Sequence, residues 1–202
     1  ASFAKWRAVI TIENKKNPSK GCLYANAHAL ARYASLCQEN NIVPIVEPEV
    51  LMEGNHTIKE CYDTTCKTLE IVFKQLNLLK VNLEGMILKP NMILPGLNSN
   101  EIVSNEIIAK MTFEALKNYV PKEVPGIAFL SGGQSSDLAA ERLNTLNKLY
   151  SNECNWKLTF SYGRALQEDA LKQWAKKSEE DTQNALLYRA NMNHLASIGK
   201  MI

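Results

Sequence analysis

Histidine is scarce. The 202 residues hold three, His28, His56 and His194, far apart and in no ligand spacing, so no metal site is expected. Cysteine is sparse and odd in number: Cys22, Cys37, Cys61, Cys66 and Cys154. None forms a C-x-x-C pair, which argues against a disulfide framework and a zinc site and fits a reducing compartment. Excess charge is missing. Lys and Arg total 23 against 21 Asp and Glu, a net +2, and so slight a balance gives no electrostatic case for nucleic acid or an acidic membrane. No apolar run approaches the ~20 residues of a membrane-spanning helix. The opening ASFAKWRAVITI has no Met and neither the charged nor the apolar region of a signal peptide. No G-x-G-x-x-G or Walker sequence follows a strand-like run, so a nucleotide-binding reading lacks its site. The sequon Asn55-His56-Thr57 is a three-residue match and carries little weight.

Apolar residues make up 46% and charged residues 22%, ordinary for a globular chain. The length suits one large domain, residues 1–202, that buries roughly 70% of its unfolded surface. Five short branched-apolar runs read as buried strands: Val9–Ile12, Ile42–Val46, Met86–Leu88, Gly126–Leu130 and Leu158–Phe160. A helical stretch fills each gap. Gly21–Glu39 puts Leu23, Ala27, Leu30, Ala34 and Cys37 on one face. Thr57 to Glu60 forms a capping box for a helix carrying Ile58, Cys61, Leu69, Val72, Phe73 and Leu76. Ser104 starts a third, with Ile107, Ile108, Met111 and Ala115 inward. Ser135 and Ser136 can cap a fourth, with Leu138, Leu143, Leu146 and Leu149 inward. Ala165–Lys177 and Glu179 to about Leu195 complete the set, and polar turns such as Asn14–Lys20 join the elements. Strand–helix alternation argues a parallel α/β sheet, either an open doubly wound sheet or a (β/α)8 barrel. Strand centres recur about every 38 residues. Eight such units need ~300 residues, and five are present.

In parallel α/β folds the chemistry sits at the C-terminal ends of strands. The second run ends in Glu47-Pro48-Glu49, two carboxylates facing together by period-two alternation. The third ends in Lys89-Pro90-Asn91. The fourth leads into Ser131-Gly132-Gly133-Gln134, and the fifth into Ser161-Tyr162-Gly163-Arg164. Lys5 and Arg7 flank Trp6 before the first run and share a face if the strand begins there. Singly, each has an ordinary explanation: solvated loop carboxylates, a snorkelling lysine, a glycine turn, exposed residues at a strand start. Together they are the groups of imine chemistry. A lysine beside a carboxylate pair and further cations is a poised nucleophile, and a carboxyl group shuttles the protons. The last two strand ends look like an anion cradle, where glycines admit close backbone approach, helix N-termini come next, and Arg164 adds a planar cation.

At these residues the chain resembles class I, Schiff-base fructose-bisphosphate aldolase. The matching segments are Phe3-Ala-Lys-Trp-Arg7, Leu30-Ala-Arg-Tyr-Ala-Ser35, Ile42-Val-Pro-Ile-Val-Glu-Pro-Glu49, Leu83-Glu-Gly85 with Leu88-Lys-Pro-Asn-Met92, Phe129-Leu-Ser-Gly-Gly-Gln-Ser135 and Leu158-Thr-Phe-Ser-Tyr-Gly-Arg-Ala-Leu166. The resemblance implies a (β/α)8 barrel, here strands four to eight, and reversible cleavage of fructose 1,6-bisphosphate to dihydroxyacetone phosphate and glyceraldehyde 3-phosphate. It implies Lys89 as the imine lysine, Glu47 as the general acid/base and Glu49 as the carboxylate that helps keep the lysine reactive. Lys5 is implied in proton transfer, Arg7 in substrate binding, and Ser131, Gly132, Gly163 and Arg164 in the C1-phosphate site. It implies no metal and a cytoplasmic homotetramer; no other cofactor is expected, and the charge balance and lack of a long apolar run leave no expected nucleic-acid partner or membrane insertion.

Two departures qualify the resemblance. The family's first three strands, with their second-phosphate residues, have no counterpart here, and neither has the tail with its terminal tyrosine. The expectation is a chain that starts mid-barrel, leaves two sheet edges and an inner face open, and turns over poorly alone. The rival reading is a non-catalytic aldolase-derived module whose cationic pocket binds acidic peptide tails or actin-like cytoskeletal partners. Another Schiff-base lyase, such as transaldolase, shares the lysine but leaves the Ser131 and Gly163–Arg164 cradle unexplained.

Overall fold

The computed structural model describes residues 1–13, 18–176 and 178–201. The expected turn over Asn14–Lys20 falls partly on residues 14–17, and the expected helix end on residue 177; both lie outside the described residues. In chain order the elements are β1 Phe3–Ile10, α1 Lys20–Glu39, β2 Val43–Val50, α2 Ile58–Leu78, β3 Ile87–Leu88, α3 Asn105–Tyr119, β4 Gly126–Phe129, α4 Ser136–Tyr150, β5 Lys157–Phe160, α5 Arg164–Trp174 and α6 Glu179–Ser197. The strands form one parallel sheet in sequential order, β1 to β5. Each is joined to the next through a helix, as parallel pairing requires.

The helices begin where side chains take up free backbone N–H groups. Ser19, Ser104, Ser135 and Ser178 accept from the third residue on in α1, α3, α4 and α6. Thr57 and Glu60 form a complete reciprocal capping box on α2. The core lies between the sheet and these helices. On β2, Val46 and Val50 turn outward into it; Leu88, Ile127, Phe129 and Leu158 join from the next strands. They meet Leu30, Leu69, Leu76, Leu143 and Leu146 of the helices. Burying each large apolar side chain stabilises the fold by about 1.5–3 kcal/mol.

The other face of the sheet carries the alternate residues and is incompletely covered. Phe3 is 63% exposed there, and Val9 and Val43 are about as open as many surface residues. The open edges are β1 and β5, each hydrogen-bonded to one neighbour.

Several expected boundaries shift. The first strand spans Phe3–Ile10 rather than Val9–Ile12, so Lys5 and Arg7 lie within it. It is an eight-residue partner of β2, held by backbone bonds that are indifferent to its mixed side chains. The second strand runs to Val50, past the expected end at Val46. The helix expected over Ala165–Lys177 begins at Arg164 and ends at Trp174. Ile107, Leu138 and Leu149 were expected inward but are 50%, 40% and 48% exposed. Each stands at the rim of its helix's apolar stripe, where 3.6-residue periodicity leaves the facing direction open.

Candidate active site

β1 and β2 lie side by side in register, Lys5 opposite Ile45 and Arg7 opposite Glu47. Their inner-face cations reach diagonally, two residues further along the neighbour, a distance long side chains span easily. Lys5 Nζ lies 3.0 Å from Glu47 Oε2. Arg7 Nε donates to Glu49 Oε2, and that carboxylate raises the Arg7 guanidinium above its ordinary range. From the other side comes β3. The backbone N–H of Lys89 donates to Val46 O at 2.8 Å, continuing the ladder one residue beyond β3. Lys89 Nζ thereby reaches Glu47 Oε1 at 3.1 Å. A single buried carboxylate thus holds one ammonium on each oxygen. The carboxylates are not solvated: Glu47 and Glu49 are 3% and 5% exposed. Nor does Lys89 snorkel, since its side chain is 12% exposed.

The turn after β3 is braced from beneath. Buried Asn91 accepts from Val50 N–H at 3.1 Å and donates to Thr65 Oγ1 and Met92 O, both at 3.1 Å. This amide ties the segment behind Lys89 to β2 and α2, so the lysine projects from a fixed backbone.

Across the cleft stand the ends of β4 and β5. Gly132 and Gly133 adopt φ of +58° and +84°, the left-handed region open to glycine. Gln134 closes this turn, its amide donating to Ser131 O at 2.8 Å while its carbonyl accepts from Arg142 at 2.8 Å. After β5, Gly163 stands at the N-cap of α5 without a capping side-chain bond, so the leading N–H groups of that helix have no side-chain acceptor. Arg164 comes directly after it. It has no carboxylate partner among the described residues, in contrast to Arg7.

These groups face one another across a cleft of about 280 Å³. Lys5, Arg7, Glu47, Glu49 and Lys89 line one side; Ser131, Gly132, Gly163 and Arg164 line the other. All nine sequence-derived candidates come together. Three further lining residues, Glu53, Leu130 and Ser161, were not among them. Ser161 was legible, since it continues the inward alternation from Thr159. Glu53 arrives by the path of the β2–α2 loop, which no local pattern encodes.

A larger cavity, about 430 Å³, opens at the start of β5 beside Asn147, Cys154, Trp156 and Lys157. It has a lone lysine and no carboxylate, whereas the smaller cleft brings lysines, arginines and carboxylates together. Among the described residues no group of three or more His, Cys, Asp or Glu could hold a metal ion, and no described helix is long and apolar enough to cross a membrane.

The model of the glycolytic class-I fructose-bisphosphate aldolases matches residues 1–202. This chain belongs to that family. It is 49% identical over 201 residues to cytosolic fructose-bisphosphate aldolase 4 of Arabidopsis thaliana, covering 98% of this chain and 51% of the relative. A probable class 1 aldolase of Xanthomonas axonopodis pv. citri is 48% identical over 203 residues, or 99% of this chain and 60% of its own length. The chain therefore spans roughly half the length of the curated aldolases it matches. A solved fructose-bisphosphate aldolase of Plasmodium falciparum, in a complex with TRAP and a small-molecule inhibitor, superimposes with a TM-score of 0.95 at 44% identity. The match covers 100% of this chain and 58% of that aldolase. The α/β fold of parallel strands and covering helices is accordingly the aldolase fold, that of a (β/α)8-barrel family.

Proposed function

We propose that this chain carries the imine-forming centre of a fructose-bisphosphate aldolase. The observation that supports this most is the Lys5–Glu47–Lys89 trio on one wall, facing the Gly132–Arg164 cradle on the other. Loss of one proton from the trio leaves a neutral carboxylate–ammonium pair and a free amine, the form that attacks a carbonyl. Lys89 Nζ adds to the C2 carbonyl of the ketose. Glu47, within reach of that nitrogen, carries the proton the nitrogen sheds on addition to the carbinolamine oxygen, and a second proton relayed from the Lys5 ammonium lets water leave and the protonated imine form. The Glu47 carboxylate takes the C4 hydroxyl proton as the C3–C4 bond breaks, releasing glyceraldehyde 3-phosphate and leaving an enamine, and that proton is available for C3. Protonation at C3 and hydrolysis then release dihydroxyacetone phosphate and restore the amine. Lys5 holds the second oxygen of Glu47 and shares its proton traffic. Glu49 is occupied by Arg7, so its contribution is to fix that guanidinium at the mouth of the cleft.

The polarity of the substrate is set by charge. Arg7 is already neutralised by Glu49, whereas Arg164 is free for an anion. The C1 phosphate belongs in the cradle, against Arg164, the Gly132 backbone, Ser131 and the leading N–H groups of α5. We further propose that the five strands are strands four to eight of the barrel, in a single domain over residues 1–202. The substrate is a sugar phosphate, the location cytosolic like the named Arabidopsis relative, and the assembly a homo-oligomer. An acidic-peptide partner for the cationic mouth is a second reading; the Plasmodium relative was solved in a complex with TRAP.

The test is intact mass after dihydroxyacetone phosphate and borohydride. The expected outcome is a reduced adduct that vanishes in Lys89→Met. An adduct that survives the substitution, or none in the intact protein, refutes the assignment. Peptide binding that survives Lys89→Met alongside lost trapping separates the second reading from the first.

A further inference from the structure

One buried charged group lies outside the chemistry above. Arg189 sits on α6 with its side chain 6% exposed. Its guanidinium reaches two other helices at once. Nη2 lies 2.8 Å from Asp137 Oδ1 on α4, and it donates to Asp169 Oδ2 on α5 at 2.9 Å. Nε donates to that same Asp169 oxygen at 3.2 Å.

The two helices it joins are those that open at the cradle. Ser131 to Gln134 leads directly into α4, and Gly163 is the N-cap of α5. Asp137 lies in the first turn of α4, and Asp169 five residues beyond Arg164. The cradle's walls therefore belong to separate helices, bridged by one fork at the first turn of α4 and midway along α5. The face of α6 that supplies it is polar: its buried residues are Arg189, Asn193 and Ala196. The other bond to α4 is also polar, Asn147 Nδ2 donating to Ala196 O at 3.1 Å. Directional bonds, rather than a sliding apolar contact, thus set the relative position of α4, α5 and α6.

We propose that Arg189 is a positioning residue for the anion cradle, fixing the spacing between the Gly132 turn and Arg164. The proposal rests on the reading that the cradle binds the substrate phosphate. Arg189 acts in two ways. The planar fork holds Asp137 and Asp169 in one geometry, which a lysine point charge does not reproduce. The positive charge also offsets two carboxylates that would otherwise repel an incoming phosphate.

The test compares borohydride trapping of the intact protein with dihydroxyacetone phosphate and with phosphate-free dihydroxyacetone. Arg189→Met should raise the half-saturating concentration of the phosphate ester roughly tenfold. Arg189→Lys should raise it by less. The trapping maximum and the half-saturation for dihydroxyacetone should stay unchanged in both. A change of less than about twofold for the phosphate ester, or an equal rise for both compounds, overturns the proposal. Should Arg189→Met fail to fold by circular dichroism, Arg189→Lys carries the test, because it keeps the charge and loses the planar fork: a rise of less than about twofold for the phosphate ester then overturns the proposal. An intact protein that forms no Lys89 adduct refutes the aldolase reading. A protein that is trapped normally, with an unaltered Arg189 variant, refutes only the positioning.

Discussion

At Gly132 backbone geometry meets the proposed anion cradle. A Cβ there would lie 2.9 Å from Met52 Sδ and 3.1 Å from Leu130 Cδ1. Both are flexible side-chain ends that can shift, but the φ of +58° cannot be relieved the same way. Gly132→Ala should therefore lower stability by about 1 kcal/mol, measured as a fall in the urea midpoint. It should also weaken trapping by dihydroxyacetone phosphate more than by dihydroxyacetone. An unchanged midpoint would show that the turn tolerates a side chain. The need for glycine was legible in the Gly-Gly pair; the neighbour Met52 was not. His56 is a second case. It is 3% exposed, and its ring nitrogens have no protein hydrogen-bond partner. Burial lowers it from 6.5, opposed in part by Glu60. With the folded value lowered, the unfolded chain binds the proton more readily. Stability is then unaffected above about 6.5 and falls as pH drops below it. Urea midpoints at pH 7.5 and 5.5 should differ by less in His56→Leu than in the parent; equal differences would contradict this. The buried state of His56 was unreadable, because its segment looks like a polar turn.

At the scale of elements, helix starts were the most legible feature, since caps are local chemistry. The Thr57 to Glu60 box is present in both directions, Thr57 Oγ1 accepting from Glu60 N–H and Glu60 accepting from Thr57 N–H at 2.8 Å. Thr57→Ala should cost about 1 kcal/mol, seen as a lowered Tm, and a variant as stable as the parent would mean that packing alone sets the start of α2. Strands were less legible. β1 mixes Lys5, Trp6 and Arg7 into its span because its inner face lines a polar cleft, while Trp6 packs toward Tyr33 of α1 with ring centroids 5.8 Å apart. An apolar-run criterion therefore finds only the end of it. β3 is two residues long, and its work is done by position, delivering Lys89 beside Glu47.

For the whole molecule, the sheet has β1 and β5 as open edges, with Phe3 and Val43 exposed on its inner face. Parallel edges and apolar inner positions invite pairing. The 202-residue chain studied alone should elute above its monomer mass or bind a hydrophobic dye, and a polypeptide supplying three further strands should suppress both. A dye-silent monomer would show that the open sheet is self-sufficient.

The order of strands and helices, the caps, and the identity of the nine cleft residues were determined by the sequence alone. The first two rest on short-range rules, period and capping geometry; the third rests on the residue types around the strand ends together with the resemblance to the family. The pairings were decided only in three dimensions. Arg7 stands opposite Glu47 in register yet binds Glu49, and Glu47 is shared between Lys5 and Lys89. Glu53 enters by a loop, and Arg189 spans two helices from a third. These contacts join residues up to about 50 positions apart. Strand register and helix packing set their geometry, and neither is written in any local stretch of chain.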